Sequence, residues 1–399
     1  MTVPAAALST RHARFVRVDA GWVVEDAQSR NGTEVNGVRV ERAVLGESDV
    51  AAMGRVLFLL TPPLLTPAGG SGDRDTAGAD GARHVTLDPQ FDDALAAVRR
   101  VASPRASSAP GMSLLILGET GTGKEVLARE VHTVSGRKGA LACVNCGAIP
   151  PTLLESLLFG HVKGAFSGAS RDEPGLFRSA HEGTVFLDEI GDLSAPSQAA
   201  LLRVLQEREV LPVGATRHVK VDFRVVAATH RPLEAMVRAG TFREDLLARL
   251  SGFSVVLPPL RARPWDIGVL FAALIRKLAG DPGSVRIAPD AGRAILRHGW
   301  PQNTRELEQC VARCLALADG ETIGHGHLPP AVVALKAPAA DPAAAGLSER
   351  DARLRLELLA ELSRCSGNLA DVARAMGKAR MQVHRWCRRF GIDPNLYRT

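Results

Sequence analysis

The sequence predicts an α/β fold: a parallel sheet of the P-loop type with a helical lid, an N-terminal β module and a C-terminal all-α module. Three observations predict it. The apolar run Ser113 to Leu117 enters the glycine-rich segment Gly118-Glu119-Thr120-Gly121-Thr122-Gly123-Lys124-Glu125, and a helical pattern opens at Lys124. That is the strand–loop–helix context a phosphate-binding loop needs. Further apolar strands alternate with helical stretches, as in a sheet covered on both faces. After Pro258-Pro259 the pattern becomes wholly helical.

With 399 residues the chain is too long for one ordinary core. An apolar fraction of 46% and a charged fraction of 23% are those of a globular protein. No run of apolar residues is long enough to span a membrane, and Met1 to Phe15 lacks the apolar stretch of a secretory signal, so a cytoplasmic protein is expected. Thr66 to Arg83 and the Ala/Pro tract Lys336 to Gly346 cannot bury enough surface to offset their ordering entropy. The expected division is a β module over 1–65, a linker over 66–83 and an α/β unit over 84–260. A helical lid over 261–335, a linker over 336–346 and a helical end over 347–399 complete it.

In the first part, Ala13 to Val18 and Gly21 to Glu25 read as short strands, Ser29 to Thr33 as a turn, and Asn36-Gly37 as a hairpin signal. Leu57 to Leu60 closes the module. In the middle part the expected strands are Ser113 to Leu117, Ala140 to Asn145, Thr184 to Leu187 and Phe223 to Ala228. The lid helices are Ile267 to Leu278, Pro289 to His298 and Asn303 to Leu317. In the last part, Arg350 to Arg364, Leu369 to Met376 and Ala379 to Phe390 are helices, the latter two joined at Gly377 as in a helix-turn-helix. From Cys365 to Thr399 there are seven Lys/Arg against two Asp. This excess suits a nucleic-acid partner or a solvated helix face.

The glycines of the loop let backbone N–H groups approach phosphate oxygens, and Lys124 neutralises them. Asp188-Glu189 end the strand Thr184 to Leu187. Two acids there are costly as core residues, so a functional reading is favoured. Asp188 is expected to hold Mg²⁺, mainly through water, and Glu189 to orient and deprotonate an attacking water. Between the two motifs lies Gly164-Ala165-Phe166-Ser167-Gly168-Ala169. One Phe among small residues cannot build a core, but it can form the tip of a mobile loop that presents a ring to a partner.

On these residues the chain resembles the bacterial enhancer-binding proteins, the AAA+ activators of sigma-54 RNA polymerase, whose hallmark GAFTGA reads GAFSGA here. The family also has Glu where Glu125 replaces the generic Ser/Thr. The resemblance implies ATP and Mg²⁺ as cofactors, sigma-54 polymerase as the target of the GAFSGA loop, and assembly from dimers to a hexameric ring. It implies that Asn145 is the switch restraining Glu189, and that Thr229 is the γ-phosphate sensor, with His230 where the family usually has Asn. Phe242-Arg243 through Arg249-Leu250 resembles the arginine-finger segment, supplied by a neighbouring subunit. Trp300-Pro301-Gln302-Asn303-Thr304-Arg305-Glu306-Leu307-Glu308 resembles the lid motif WPGNVRELE, in which Arg305 reports the nucleotide's state.

Gly367 to Gly377 resembles the Fis-type helix-turn-helix. Enhancer DNA is then the expected partner of Arg380, Gln382, His384, Arg385, Arg388 and Arg389, while Val383, Trp386 and Phe390 are expected core. Ser9-Thr10-Arg11-His12 with Ser29 to Thr33 resembles the second half of a forkhead-associated (FHA) domain, a phosphothreonine binder. Ser9, Arg11 and Asn31 match its pocket positions. Its opening strands and their Gly-Arg pair have no counterpart, so a truncated module is expected. The spacing of Cys143 with Cys146 and of Cys310 with Cys314 allows a zinc or redox site, although buried reduced thiols explain them more simply. The expected function is ATP-driven activation of sigma-54 polymerase from enhancer DNA. The alternative is a DNA-binding regulator that uses ATP only as an assembly switch.

Overall fold

The computed structural model describes residues 11–18, 21–46, 49–54, 56–60, 84–104 and 112–334, and towards the C-terminus residues 354, 358, 361–362, 365 and 368–389. Both expected linkers, Ser9 and Phe390 lie outside the described residues. The chain divides into two compact units. One comprises Leu64–Val285 and Gly299–Ala316; the other comprises Met1–Pro63, Arg286–His298 and Leu317–Thr399.

The second of these units holds the N-terminal β module. Its strands are β1 Ala13–Val18, β2 Gly21–Asp26, β3 Thr33–Val35, β4 Val38–Val40, β5 Arg42–Leu45, β6 Val50–Met53 and β7 Val56–Leu59. They form two antiparallel sheets, β1-β2-β5 and β4-β3-β6-β7. Asn36 and Gly37 both have positive φ, which gives the β3–β4 hairpin its primed turn. Val24, Val35, Leu45, Ala51 and Met53 form the core between the sheets.

The first unit is built on five parallel strands in the order β14-β8-β13-β10-β9. They are β8 Leu114–Gly118, β9 Leu141–Asn145, β10 Gly183–Asp188, β13 Phe223–Thr229 and β14 Phe253–Leu257. The central strand β13 is buried at all seven positions, as a parallel strand covered on both faces requires. A short hairpin pairs β11 Glu209–Val210 with β12 Val219–Lys220. Helices α1 Pro89–Ala102 and α2 Lys124–Ser135 pack on one face through Phe91, Leu95, Leu127 and Val131. On the other face lie α3 Pro151–Phe159, α4 Gly175–Ser179, α5 Ala195–Glu207, α6 Leu233–Arg238 and α7 Glu244–Leu250.

Register then fixes the site. Asp188 pairs with Asn145, and Thr229 with Leu117. The carboxyl ends of four neighbouring strands therefore fall along one edge, where ligands of parallel sheets bind. Of the lid helices, α8 Asp266–Ala279 and the first fourteen residues of α10 Asn303–Ala318 group with the sheet. The intervening α9 Pro289–Arg297 and the short α11 Pro330–Val333 group with the other unit.

Candidate active site

The P-loop places each of its groups by backbone constraint. Gly121 and Gly123 have positive φ. A Cβ on Gly121 would lie 2.1 Å from the Gln302 carbonyl oxygen, and one on Gly123 would lie 2.5 Å from the His84 ring. Only glycine fits at both positions. Lys124 is buried, and its Nζ donates to the carbonyls of Gly118 (3.0 Å) and Glu119 (3.3 Å). The ammonium is thus held at the mouth of α2, where a phosphate meets the helix N-terminus.

Lys124 also lies 3.6 Å from Oε1 of Glu189. A cavity of about 280 Å³ joins Thr120, Gly121, Gly123, Lys124 and Glu125 to Asn145, Asp188, Glu189 and Arg305. Glu119 and Thr122 are not part of its lining. Glu119 pairs with Arg261, which holds its carboxyl down at about 2, and the Thr122 hydroxyl donates to the Glu119 carbonyl.

The two acids are tuned apart. Burial, and then the charge of Glu189, raises the Asp188 carboxyl despite Lys124. Burial also pushes Glu189 up, but hydrogen bonds from His230 and the charge of Lys124 outweigh it, and the net shift is downward. A divalent cation fits this donor set: Asp188 is a half-buried carboxylate that gains from a positive neighbour. Magnesium characteristically takes one or two carboxylates together with phosphates and water. Among the described residues no cluster of three or more His, Cys, Asp or Glu side chains forms a metal cage.

Asn145 is close by, yet its Oδ1 accepts from the N–H groups of Gly147 (3.0 Å) and Ala148 (3.1 Å), closing a turn. The Glu189 carboxylate receives its hydrogen bonds from the end of β13 and the residue after it: His230 Nδ1 at 2.7 Å, His230 N–H at 3.3 Å and the Thr229 hydroxyl at 3.4 Å.

The lid motif was readable, but not that Asn303 and Thr304 within it bond it to the P-loop. Asn303 is fully buried with positive φ. Its Nδ2 donates to the Thr120 carbonyl at 2.9 Å, and its Oδ1 accepts from Leu260 N–H at 2.7 Å. Thr304 N–H donates to the Gly121 carbonyl at 3.0 Å.

A second cavity, of about 150 Å³, lies against Gly123 and is lined by His84, Val85, Arg263, Leu270 and Leu274 among others. Burial lowers His84 to about 4 and keeps it neutral, with Nε2 3.0 Å from the Gly123 carbonyl. Arg263 is completely buried, pairs with Asp266 at 3.2 Å and lies over the Phe91 ring at 4.9 Å, and among the described residues its Nε and Nη2 have no hydrogen-bond partner. The polar spacing Arg263-x-x-Asp266 just before an apolar helix was a readable signal; nothing in the sequence marked His84.

Arg243 and Arg249 lie elsewhere. Arg243 forms a bidentate pair with Asp245 (2.7 and 3.0 Å) beside a separate surface depression, and Arg249 reaches the Leu205 carbonyl at 3.2 Å. Neither is part of the lining of the P-loop cavity.

The segment Gly164 to Ala169 is a turn closed by its own backbone, with Gly164 N–H on the Ala169 carbonyl and Ala169 N–H on the Phe166 carbonyl. Gly164 and Gly168 have positive φ. Phe166 is 41% exposed, its ring 4.9 Å from that of His161, and Ser167 is exposed.

The helix-turn-helix comprises Leu369–Ala375 and Arg380–Arg389, joined through Gly377 at φ +62°. Val383 and Cys387 are buried and Trp386 packs beside them, while Arg380, Gln382, His384, Arg385, Arg388 and Arg389 are all exposed. In the β module, Arg11 and Asn31 are exposed. Asp26 accepts from Ser29 and Thr33 hydroxyls at 2.6 and 2.7 Å, organising the turn before β3.

The thiols differ from expectation in one respect. Cys146, Cys310 and Cys314 are buried, but Cys143 is exposed, because β9 is an edge strand.

Known proteins share these features. Residues 86–256 match the Sigma-54 interaction domain, residues 261–345 the AAA+ ATPase lid domain and residues 1–54 the FHA domain. The chain is 45% identical over 297 residues to the acetoin catabolism regulatory protein of Cupriavidus necator, covering 71% of this chain and 44% of that protein. It is 41% identical over 291 residues to the regulatory protein AtoC of Escherichia coli K12, covering 71% and 63%. The chain thus spans about half the length of the curated relatives it matches. The crystal structure of NtrX from Brucella abortus in complex with ATP aligns with a TM-score of 0.59 at 33% identity, covering 78% of this chain and 70% of that one. Sheet, P-loop, lid and GAFSGA turn together place the chain in a family: it belongs to the sigma-54-dependent transcriptional activators of the AAA+ class.

Proposed function

We propose that the chain hydrolyses ATP between subunits of a ring and uses the hydrolysis to remodel sigma-54 RNA polymerase into its open complex, from enhancer DNA bound upstream. The convergence of Lys124, Asp188 and Glu189 on one cavity, in a chain that also displays Phe166 on a small-residue turn, carries this reading.

Lys124 leaves the loop carbonyls to neutralise the β- and γ-phosphates. Asp188 would hold a Mg²⁺ ion, which when bound would add positive charge against the phosphates. Glu189 orients the attacking water and takes its proton. Thr229 senses the γ-phosphate, and Arg305 carries that state to the lid. Arg243 and Arg249, remote from their own P-loop, serve a neighbouring subunit's site, where they stabilise charge on the phosphoryl group in flight.

Phe166 contacts sigma-54, with Ser167 keeping the hydroxyl of the usual Thr. Arg380, Gln382, His384 and Arg385 face the major groove, with Arg388 and Arg389 on phosphates. The FHA module takes a phosphothreonine protein through Ser9, Arg11 and Asn31.

The deciding experiment is open-complex formation by purified sigma-54 polymerase with this protein, ATP and Mg²⁺, alongside Glu189→Ala and Phe166→Ala. Melting by the parent and by neither variant is expected. Hydrolysis by the parent without melting would sink the polymerase half of the proposal and favour an ATP-switched DNA-binding regulator.

A further inference from the structure

His230 directly follows β13 and, among the described residues, makes the shortest hydrogen bond to the Glu189 carboxylate. β10 lies between β9 and β13. Glu189, the residue after β10, can therefore be restrained from either side. On the β9 side Asn145 Oδ1 accepts from the N–H groups of Gly147 and Ala148, and among the described residues its Nδ2 makes no hydrogen bond to Glu189. On the β13 side His230 Nδ1 stands 2.7 Å from Glu189 Oε2. A carboxylate can only accept, so the tautomer with hydrogen on Nδ1 is the one that satisfies the pair. The same oxygen takes the His230 N–H and the Thr229 hydroxyl, while Oε1 faces Lys124. Glu189 sits at φ +50° and ψ +50°, a conformation that a non-glycine residue keeps when its surroundings hold it there.

We propose that His230 is a positioning residue that, together with Thr229, parks Glu189 from the end of β13. The proposal rests on the ATPase reading above. A carboxylate whose lone pairs are already engaged by donors is a poor proton acceptor. Glu189 becomes an effective base only when His230 lets go. Thr229 and His230 are consecutive, so a γ-phosphate drawn to the Thr229 hydroxyl pulls on the strand end that holds the base. Nucleotide sensing and release of the base then become one event. The proton removed from the attacking water passes to Glu189, and His230 exchanges none.

The test is steady-state ATP hydrolysis by the full chain with Mg²⁺, comparing the parent with His230→Ala, His230→Asn and Lys124→Ala, each checked for an unchanged melting temperature. In His230→Ala, kcat should rise about three- to tenfold, while the KM for ATP stays within about twofold. Asparagine presents Nδ2 close to where histidine presents Nδ1, so His230→Asn should behave as the parent. A residue that merely supports the fold would lower kcat when removed. The inference is overturned if His230→Ala leaves kcat unchanged or lowers it, or if His230→Asn rises as much as His230→Ala. Absence in the parent of any hydrolysis that Lys124→Ala removes would overturn the ATPase reading and this inference together.

Discussion

On the proposed reading, a single buried ammonium, that of Lys124, decides whether phosphate can enter the P-loop. Lys124→Ala removes the only lysine lining the cavity and is expected to lower ATP hydrolysis about 100-fold or more, measured as phosphate release. Glu189→Gln keeps the shape and loses the base. ATP binding should survive, while kcat falls by about 10²–10⁴-fold in single-turnover measurements. The thiols give a third test. Burial first, then the charge of Asp188, pushes Cys146 up to about 12, while Cys143 is exposed on the edge strand. At pH 8, iodoacetamide followed by mass spectrometry should label Cys143 well before Cys146.

Lys124, Asp188 and Glu189 were legible because their chemistry demands a fixed local spacing. The His230–Glu189 pair was not, because its partners are 41 positions apart and only the order of the strands brings them together. Asn145 shows the converse: its neighbourhood was readable, but its commitment to a turn was not.

Among the elements, α10 carries the joint between lid and phosphate loop at its first residue. Asn303→Ala would leave the Leu260 N–H and the Thr120 carbonyl without their buried partners, at a cost of about 1–3 kcal/mol each before relaxation. It also puts a Cβ residue with no side-chain hydrogen bond at positive φ. We expect a lower melting temperature and weaker ATP binding, both read by calorimetry. An unchanged melting temperature would contradict this account of the joint.

The central strands were legible as unbroken apolar runs. β14 was not, since Ser254 interrupts its apolar run and it forms the edge of the sheet. β6 was missed because Ala51 and Ala52 carry little β propensity, although the strand is buried throughout. The helix-turn-helix was readable at both described helices, since Gly377 marks the turn and Val383 and Cys387 recur at helical spacing.

For the whole molecule, the positions of Arg243 and Arg249 outside the lining of their own P-loop cavity suit the proposed ring, in which no subunit is complete alone. Arg243→Ala and Lys124→Ala proteins should each be inactive. Mixed together they should regain measurable hydrolysis, because some shared sites then join an intact P-loop to an intact finger. No recovery on mixing would argue against a shared site.

That same α10 has a mechanical consequence. It runs sixteen residues from Asn303 to Ala318, a rod about 24 Å long. Its first turn is bonded to the backbone of Thr120 and Gly121. A tilt of about 5° about that end displaces the far end by about 2 Å. The helix is a lever with its fulcrum at the glycine-rich loop: a loop that shifts by a fraction of a bond length at one end moves the other by more than the length of a carbon–carbon bond.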